Sequence, residues 1–188
     1  IACFGPLELR QQSPRYGHIL ATPKAGWSDV DLRFPFRQAG FKQAIRVETD
    51  VNGAVLAEAN WGAGKGCRNL VYFTVGTGIG GAALVDGSLL QGFAHPEMGH
   101  MRVRRLSEDL DFQGSCPFHG DCLEGLASGP AIASRWGMPA EMLPPEHPAW
   151  DLEAAYLAQM LQNTIAILAP ERIILGGGIS KQPFLIRS

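Results

Sequence analysis

The sequence predicts an α/β protein, and three observations carry that prediction. An apolar stretch at residues 44–48 runs through a polar junction into a helical pattern at 54–59. A second apolar run, residues 69–75 (NLVYFTV), ends in a cluster of glycines and is followed by another apolar segment. Near the far end, residues 152–168 keep apolar side chains at helical spacing, and residues 172–175 (RIIL) then read as a buried strand opening into three glycines. Strands alternating with helices in this way belong to mixed α/β layers.

Composition narrows the function classes. The chain has 188 residues, a net charge of -2 and 46% hydrophobic residues, ordinary values for a globular protein of one large domain or one and a half small ones. A near-neutral balance gives no support for nucleic-acid binding, which needs a basic face. No apolar run approaches a membrane span. No signal peptide is visible, and Ile1-Ala2-Cys3-Phe4-Gly5-Pro6 reads as the end of a buried strand. Two of the four cysteines lie in one loop. The others, Cys3 and Cys67, are expected to be buried free thiols, so a reducing cytoplasm is the expected compartment.

Taken in order, residues 16–22 read as a strand, 23–31 as a loop in which Trp27 is a packing anchor, and 30–40 as a short helix ending at Gly40. Residues 44–48 form the next strand. At its end stands Asp50, which can be the N-cap of the following helix or a catalytic base held at the carboxyl end of a strand. The flanking Thr49 and Asn52 keep the second reading open. Gly62-Ala63-Gly64-Lys65-Gly66 lacks a full Walker pattern and is a connecting loop.

Gly76-Thr77-Gly78-Ile79-Gly80-Gly81 formally contains the dinucleotide fingerprint, which requires a helix after the glycines. An apolar strand follows instead, closed by Asp86-Gly87, so the segment reads as a glycine-rich hairpin. Its exposed N–H groups can cradle phosphate, with Thr77 adding a hydroxyl, although a plain tight hairpin also accounts for the glycines. Residues 124–136 read as one helix, and the four prolines 139, 144, 145 and 148 mark a loop. Asp151 can cap the long helix that Pro170 ends. Gly176-Gly177-Gly178 then lets a ligand, or only a turn, approach the backbone.

The densest chemistry lies between His95 and Pro130. Cys116-x-x-His119-x-x-Cys122 spaces two thiols and an imidazole to meet around one ion, and Gly114, Pro117 and Gly120 supply the turns. Zinc takes such ligands in a tetrahedron. His100 is the natural fourth ligand, with His95 and Asp121 as weaker candidates. A closed four-ligand site leaves no position for a reacting water, so the ion is scaffold, and it is expected to bring Glu97 and Glu124 together.

These pieces together resemble the ROK family of sugar kinases, most closely its bacterial fructokinase branch. The resemblance rests on Thr49-Asp50-Val51-Asn52-Gly53-Ala54, Gly76-Thr77-Gly78-Ile79-Gly80-Gly81, Pro96-Glu97-Met98-Gly99-His100, the stretch from Cys116 to Gly125, and Ile174-Leu175-Gly176-Gly177-Gly178, in family order. It implies an actin-like, ribonuclease-H-like kinase fold of two lobes, with residues 1–48 as the remnant of the small lobe and 49–188 in the large lobe. It implies ATP-dependent phosphorylation of a hexose, most simply fructose, with magnesium on the phosphates and a homodimer as the assembly.

By that similarity Asp50 is the base, and Gly5, Pro6, Asn52, Glu97, His100 and Glu124 line the sugar pocket. Gly76, Thr77, Gly78, Gly80 and Gly81 embrace the ATP phosphates, and Gly176, Gly177 and Gly178 lie by the nucleotide. His100, Cys116, His119 and Cys122 hold zinc, with His100 serving both metal and sugar. His119 stands where many family members carry a cysteine, and Thr49 where many carry asparagine; both departures point to fructokinases rather than glucokinases. A sugar-responsive ROK repressor, or a kinase for mannose or glucose, is the alternative. The family's first phosphate loop would lie before Ile1 and its closing helices after Gly178. The chain is therefore expected to be truncated at both ends, and not to phosphorylate sugar at a useful rate by itself.

Overall fold

The computed structural model describes residues 1–182 and Leu185. Its centre is a four-stranded sheet in the order β5-β4-β3-β6, with β3 at Leu70–Val75, β4 at Ile79–Val85, β5 at Ser88–Leu89 and β6 at Arg172–Gly176. β3 and β4 are antiparallel, in register from Leu70 against Leu84 to Val75 against Ile79. β6 runs parallel to β3 on its other side, Leu70 facing Arg172 and Thr74 facing Gly176.

The side chains of β3 alternate between two cores, as a strand covered on both faces must. Leu70 and Tyr72 join Val51, Val55, Ala82 and Leu84 under helix α2, Asp50–Trp61. Val71, Phe73 and Val75 face the opposite way, into the larger core built with α3 (Leu123–Ala127), α4 (Gly129–Trp136) and α5 (Ala149–Leu168). Asp86 and Gly87, with φ of 52° and 77°, form the tight turn from β4 to β5, as the Asp-Gly signal predicts.

The first 48 residues contribute little regular structure. β1 (Ala2–Cys3) and β2 (Glu48–Thr49) form a parallel two-residue pair, α1 spans Phe34–Gln38, and Leu7, Ile19 and Val47 make a small core of their own. Three expectations fail here. Ile1 and Ala2 are exposed, so the opening strand is short and not buried. Residues 16–22 form isolated bridges, Leu7 to Ile19 and His18 to Asp31, instead of a strand. The strand expected at 44–48 shrinks to Glu48–Thr49, because β1 pairs only those two residues and the Val47 N–H goes to the Tyr16 hydroxyl instead. Trp27 does anchor packing, edge-on to Phe4 with ring centroids 5.4 Å apart.

Four further differences have local causes. The helix expected over 124–136 breaks at Ser128, whose hydroxyl accepts the Ala131 N–H and restarts the chain as α4. α5 begins at Ala149, so Asp151 stands in its first turn, favourably placed for the helix dipole, and does not cap it. β6 is a sheet edge and only half-buried. Cys3 and Cys67 are free but half-buried.

α5 carries the most heavily buried acid. Glu153 is 1% exposed, its Oε1 has no hydrogen-bond partner among the described residues, and burial pushes its carboxyl well above the usual range, with Arg135 pulling weakly the other way. Arg135 is committed elsewhere, to Asp109 at 2.8 and 3.0 Å and to the Leu126 carbonyl. The unfolded chain releases this proton above about pH 4.3, while the folded chain keeps it. Stability is therefore lost as pH rises from that point towards the folded pKa. Glu153→Gln should raise Tm at pH 8 and leave it nearly unchanged at pH 4; a lower Tm at pH 8 would show an ionised, paired carboxylate.

Candidate functional site

Site residues gather where the carboxyl end of β3, the hairpin it enters and the amino end of α2 converge. Thr49 caps α2, its hydroxyl accepting the Asn52 N–H at 3.1 Å. Asp50, the first residue of the helix, is exposed, and among the described residues its Oδ1 accepts only the adjacent Val51 N–H at 3.0 Å. The helix-cap role considered for Asp50 thus falls to its neighbour. Asn52 is buried, and its amide donates to Glu48 Oε2 at 2.8 Å. Glu48 also accepts from Gln91 at 3.1 Å. The sequence reading took Glu48 as an ordinary strand residue; its position four before Asn52 across a helix start was the available signal.

The loop between β3 and β4 is Gly76-Thr77-Gly78, with the Gly76 N–H bonded to the Gly78 carbonyl at 2.9 Å. Beside it lies the turn at Gly176–Gly178, where Gly177 has φ 97° and would press a side chain into Val75. Among the described residues, no hydrogen bond takes up the backbone N–H of Thr77 or of Gly178, and both residues are exposed. The amino end of α4 abuts the same loop, but its donors are used: Gly129 bonds the Gly76 carbonyl at 2.7 Å, Ala131 and Ile132 bond Ser128, and Pro130 has none. Gly80 and Gly81 lie inside β4, paired with Thr74 and Phe73. A side chain on Gly80 would meet Val51 at 3.0 Å, and one on Gly81 would meet Phe73 and Met98, so these two serve close packing and are not part of the loop.

Glu124 reaches this hairpin from the other side. Standing in the first turn of α3, its Oε2 accepts the Ile79 N–H at 2.9 Å, and a side chain on Gly78 would come within 2.7 Å of it. The turn at Met98–His100 packs on β4 so tightly that any side chain on Gly99 would strike the Ile79 carbonyl. Glu97 begins that turn, with its carbonyl accepting the His100 N–H at 3.0 Å and its Oε1 2.9 Å from His95 Nε2. Gly5, joined to Pro6 by a cis bond, lies against the His95 ring.

The four expected metal ligands do meet. His100 Nδ1 lies 3.4 Å from Cys122 Sγ and 3.7 Å from Cys116 Sγ, and His119 Nδ1 lies 3.7 Å from Cys116 Sγ. One ligand atom from each of the four falls within 4.8 Å of all the others. The two weaker candidates are engaged elsewhere, Asp121 with Arg102 and Arg105 and His95 with Glu97. Without an ion, burial pushes the Cys122 thiol up to about 11, with Cys116 adding to the rise. Metal binding therefore has to drive the thiols to their ionised form. Because His100 faces the cluster through Nδ1, its Nε2 remains for another partner.

The ROK family model matches residues 1–188. This chain belongs to the ROK family. It is 50% identical over 185 residues to a putative fructokinase of Bacillus subtilis (strain 168), covering 97% of this chain and 60% of the relative. It is 51% identical over 181 residues to a fructokinase of Zymomonas mobilis, covering 95% of this chain and again 60% of the relative. The chain thus spans about 60% of the length of these curated relatives. Among solved structures, the ROK hexokinase of Thermus thermophilus superposes with a TM-score of 0.73 at 27% identity, over 95% of this chain and 61% of that one. The fold is the α/β, actin-like fold of the ROK sugar kinases.

Gly125 tests the metal loop without altering a ligand. A side chain there would strike the Gly120 carbonyl and come within 3.0 Å of Cys116. Metal analysis of the purified protein should find a stoichiometric ion, and Gly125→Ala should lose most of it. Full metal retention in that variant would show that the loop does not need this close approach.

Proposed function

We propose that the intact protein transfers the γ-phosphoryl group of ATP to a hexose, with fructose the favoured acceptor and fructose 6-phosphate the product. The observation that carries the reading is the state of Asp50. It is an exposed carboxylate at the carboxyl end of a strand, relieved of capping by Thr49 and, among the described residues, bonded to nothing but the next N–H. A carboxylate so placed can accept the proton of an attacking hydroxyl. The roughly half identity to two fructokinases supports this reading over that of a sugar-responsive repressor.

In this account Asn52, Glu97, His100 and Glu124, with Gly5 and Pro6, hold the sugar hydroxyls, and Glu48 keeps the Asn52 amide oriented. Glu124 gives one oxygen to Ile79 and keeps the other for the sugar. The N–H groups of Thr77 and Gly178, without a hydrogen bond among the described residues, receive the phosphates, between Gly76-Gly78 on one side and Gly176-Gly178 on the other. Magnesium, bound with ATP, would supply charge neutralisation there. Val51 packs on Gly80, next to the Ile79 that Glu124 holds, which sets Asp50 and Glu124 at the same end of the hairpin.

The metal at His100, Cys116, His119 and Cys122 is proposed to be zinc, supported by two cysteines and two imidazoles with no fifth group among the described residues. Its task is structural: it fixes the turn that carries Glu97 and His100 against the helix start that carries Glu124. Free cysteines suit a reducing compartment, and no helix among the described residues is long and apolar enough to cross a membrane. Residues 1–48 as small lobe and a homodimeric assembly belong to the same proposal.

A coupled kinase assay across fructose, mannose and glucose tests the reading, with the highest kcat/KM expected for fructose. Asp50→Asn should keep hexose affinity and lose about 100- to 10,000-fold in kcat. A near-normal kcat in that variant would remove Asp50 from the chemistry.

A further inference from the structure

We propose that His95 is the positioning residue for Glu97: its Nε2–H aims the Glu97 carboxylate at the sugar, and Gly5 lacks a side chain so that the ring can lie there. This rests on the sugar-kinase reading of Glu97.

The Glu97 side chain is 55% exposed, so without a partner its carboxylate would sample many rotamers and lose that freedom on binding. His95 is the reverse, with 7% of its side chain exposed. Its Nε2 lies 2.9 Å from Glu97 Oε1. A carboxylate can only accept, so Nε2 carries the hydrogen of this contact. Nδ1 is buried and has no hydrogen-bond partner among the described residues. A ring kept only for packing would not bear that cost, which a leucine or phenylalanine in the same space avoids. The polar contact to Glu97 is what a histidine adds.

Gly5 completes the arrangement. A side chain there would sit 3.0 Å from His95 Nε2 and 3.3 Å from Cε1, against the edge that faces Glu97. The backbone of Glu97 is anchored separately, through its carbonyl and the His100 N–H in the turn that delivers His100 to the metal cluster. Main chain and side chain of Glu97 are thus fixed from two directions, by the metal turn and by a ring lodged on Gly5. His95 lies outside the four-ligand cluster, so its removal leaves the metal in place.

The test is steady-state kinetics on the intact protein with His95→Ala, His95→Gln, His95→Asn, Glu97→Gln and the double variant His95→Ala/Glu97→Gln. His95→Ala should raise the hexose KM about tenfold, with the ATP KM and metal content unchanged. Gln carries its amide N–H about as far out as Nε2 and should recover most of the loss. Asn ends near the Nδ1 position and should not. In the Glu97→Gln background, His95→Ala should add less than about twofold, because the group it positions is already altered. If His95→Ala costs the same with and without Glu97→Gln, or if Asn rescues as well as Gln, His95 is a packing residue and the proposal falls. If Glu97→Gln leaves the hexose KM unchanged, the sugar role of Glu97 itself is wrong, and that outcome is separate from the first. Should His95→Ala not fold, the Gln–Asn contrast decides alone.

Discussion

Glu124 Oε2 sits 2.9 Å from the Ile79 N–H, and much of the site is arranged around that contact. Glu124 lies two residues past Cys122 of the Cys/His cluster, in the first turn of α3. Ile79 is the first residue of β4, immediately after the glycine loop. A single charge-assisted hydrogen bond therefore joins the metal loop to the hairpin. The approach demands small residues on every side: Gly78 beneath Glu124, Gly99 against the Ile79 carbonyl and Gly125 against the Gly120 carbonyl. The Leu123 N–H, bonded to the Met101 carbonyl at 3.0 Å, closes the same seam one residue before Glu124.

Polar groups around the seam divide their work in a consistent way. Groups that could serve a ligand are left over because a neighbour performs the structural task. Thr49 caps α2 and leaves Asp50 free; Glu48 takes the Asn52 amide; Ser128 and Gly76 absorb the donors of α4, leaving the loop amide of Thr77 exposed. Deeper in the larger core, Asp109 is satisfied by Arg135 and by the Tyr156 hydroxyl at 2.7 Å, which ties α4 and α5 together away from the site.

The β3–β4 hairpin was legible because four glycines in six residues, followed by an apolar run, leave few alternatives to an antiparallel return. The meeting of Cys116, His119 and Cys122 was legible for a similar reason, since their spacing is a local property of the chain. What sequence could not fix was anything set by neighbours. Whether residues 16–22 pair as a strand depends on the regularity of the segments at 6–8 and 29–32 that bond to them, and those contacts stop at isolated bridges. Gly80 and Gly81 look like loop glycines until Val51, Phe73 and Met98 are packed against them. Ser128 reads as one more small residue in a helix until its hydroxyl restarts the chain. The His95 contact to Gly5 spans 90 positions and had no local signature.

The central claim is that the metal organises the hexose groups without taking part in the chemistry. The most direct measurement is hexose affinity by calorimetry on the intact protein, before and after removal of the metal with a chelator, with ATP affinity measured alongside. The account predicts that hexose affinity falls by about tenfold or more, that ATP affinity changes less, and that added zinc restores the first. A folded, metal-free protein that binds the hexose as tightly as the native one would contradict it.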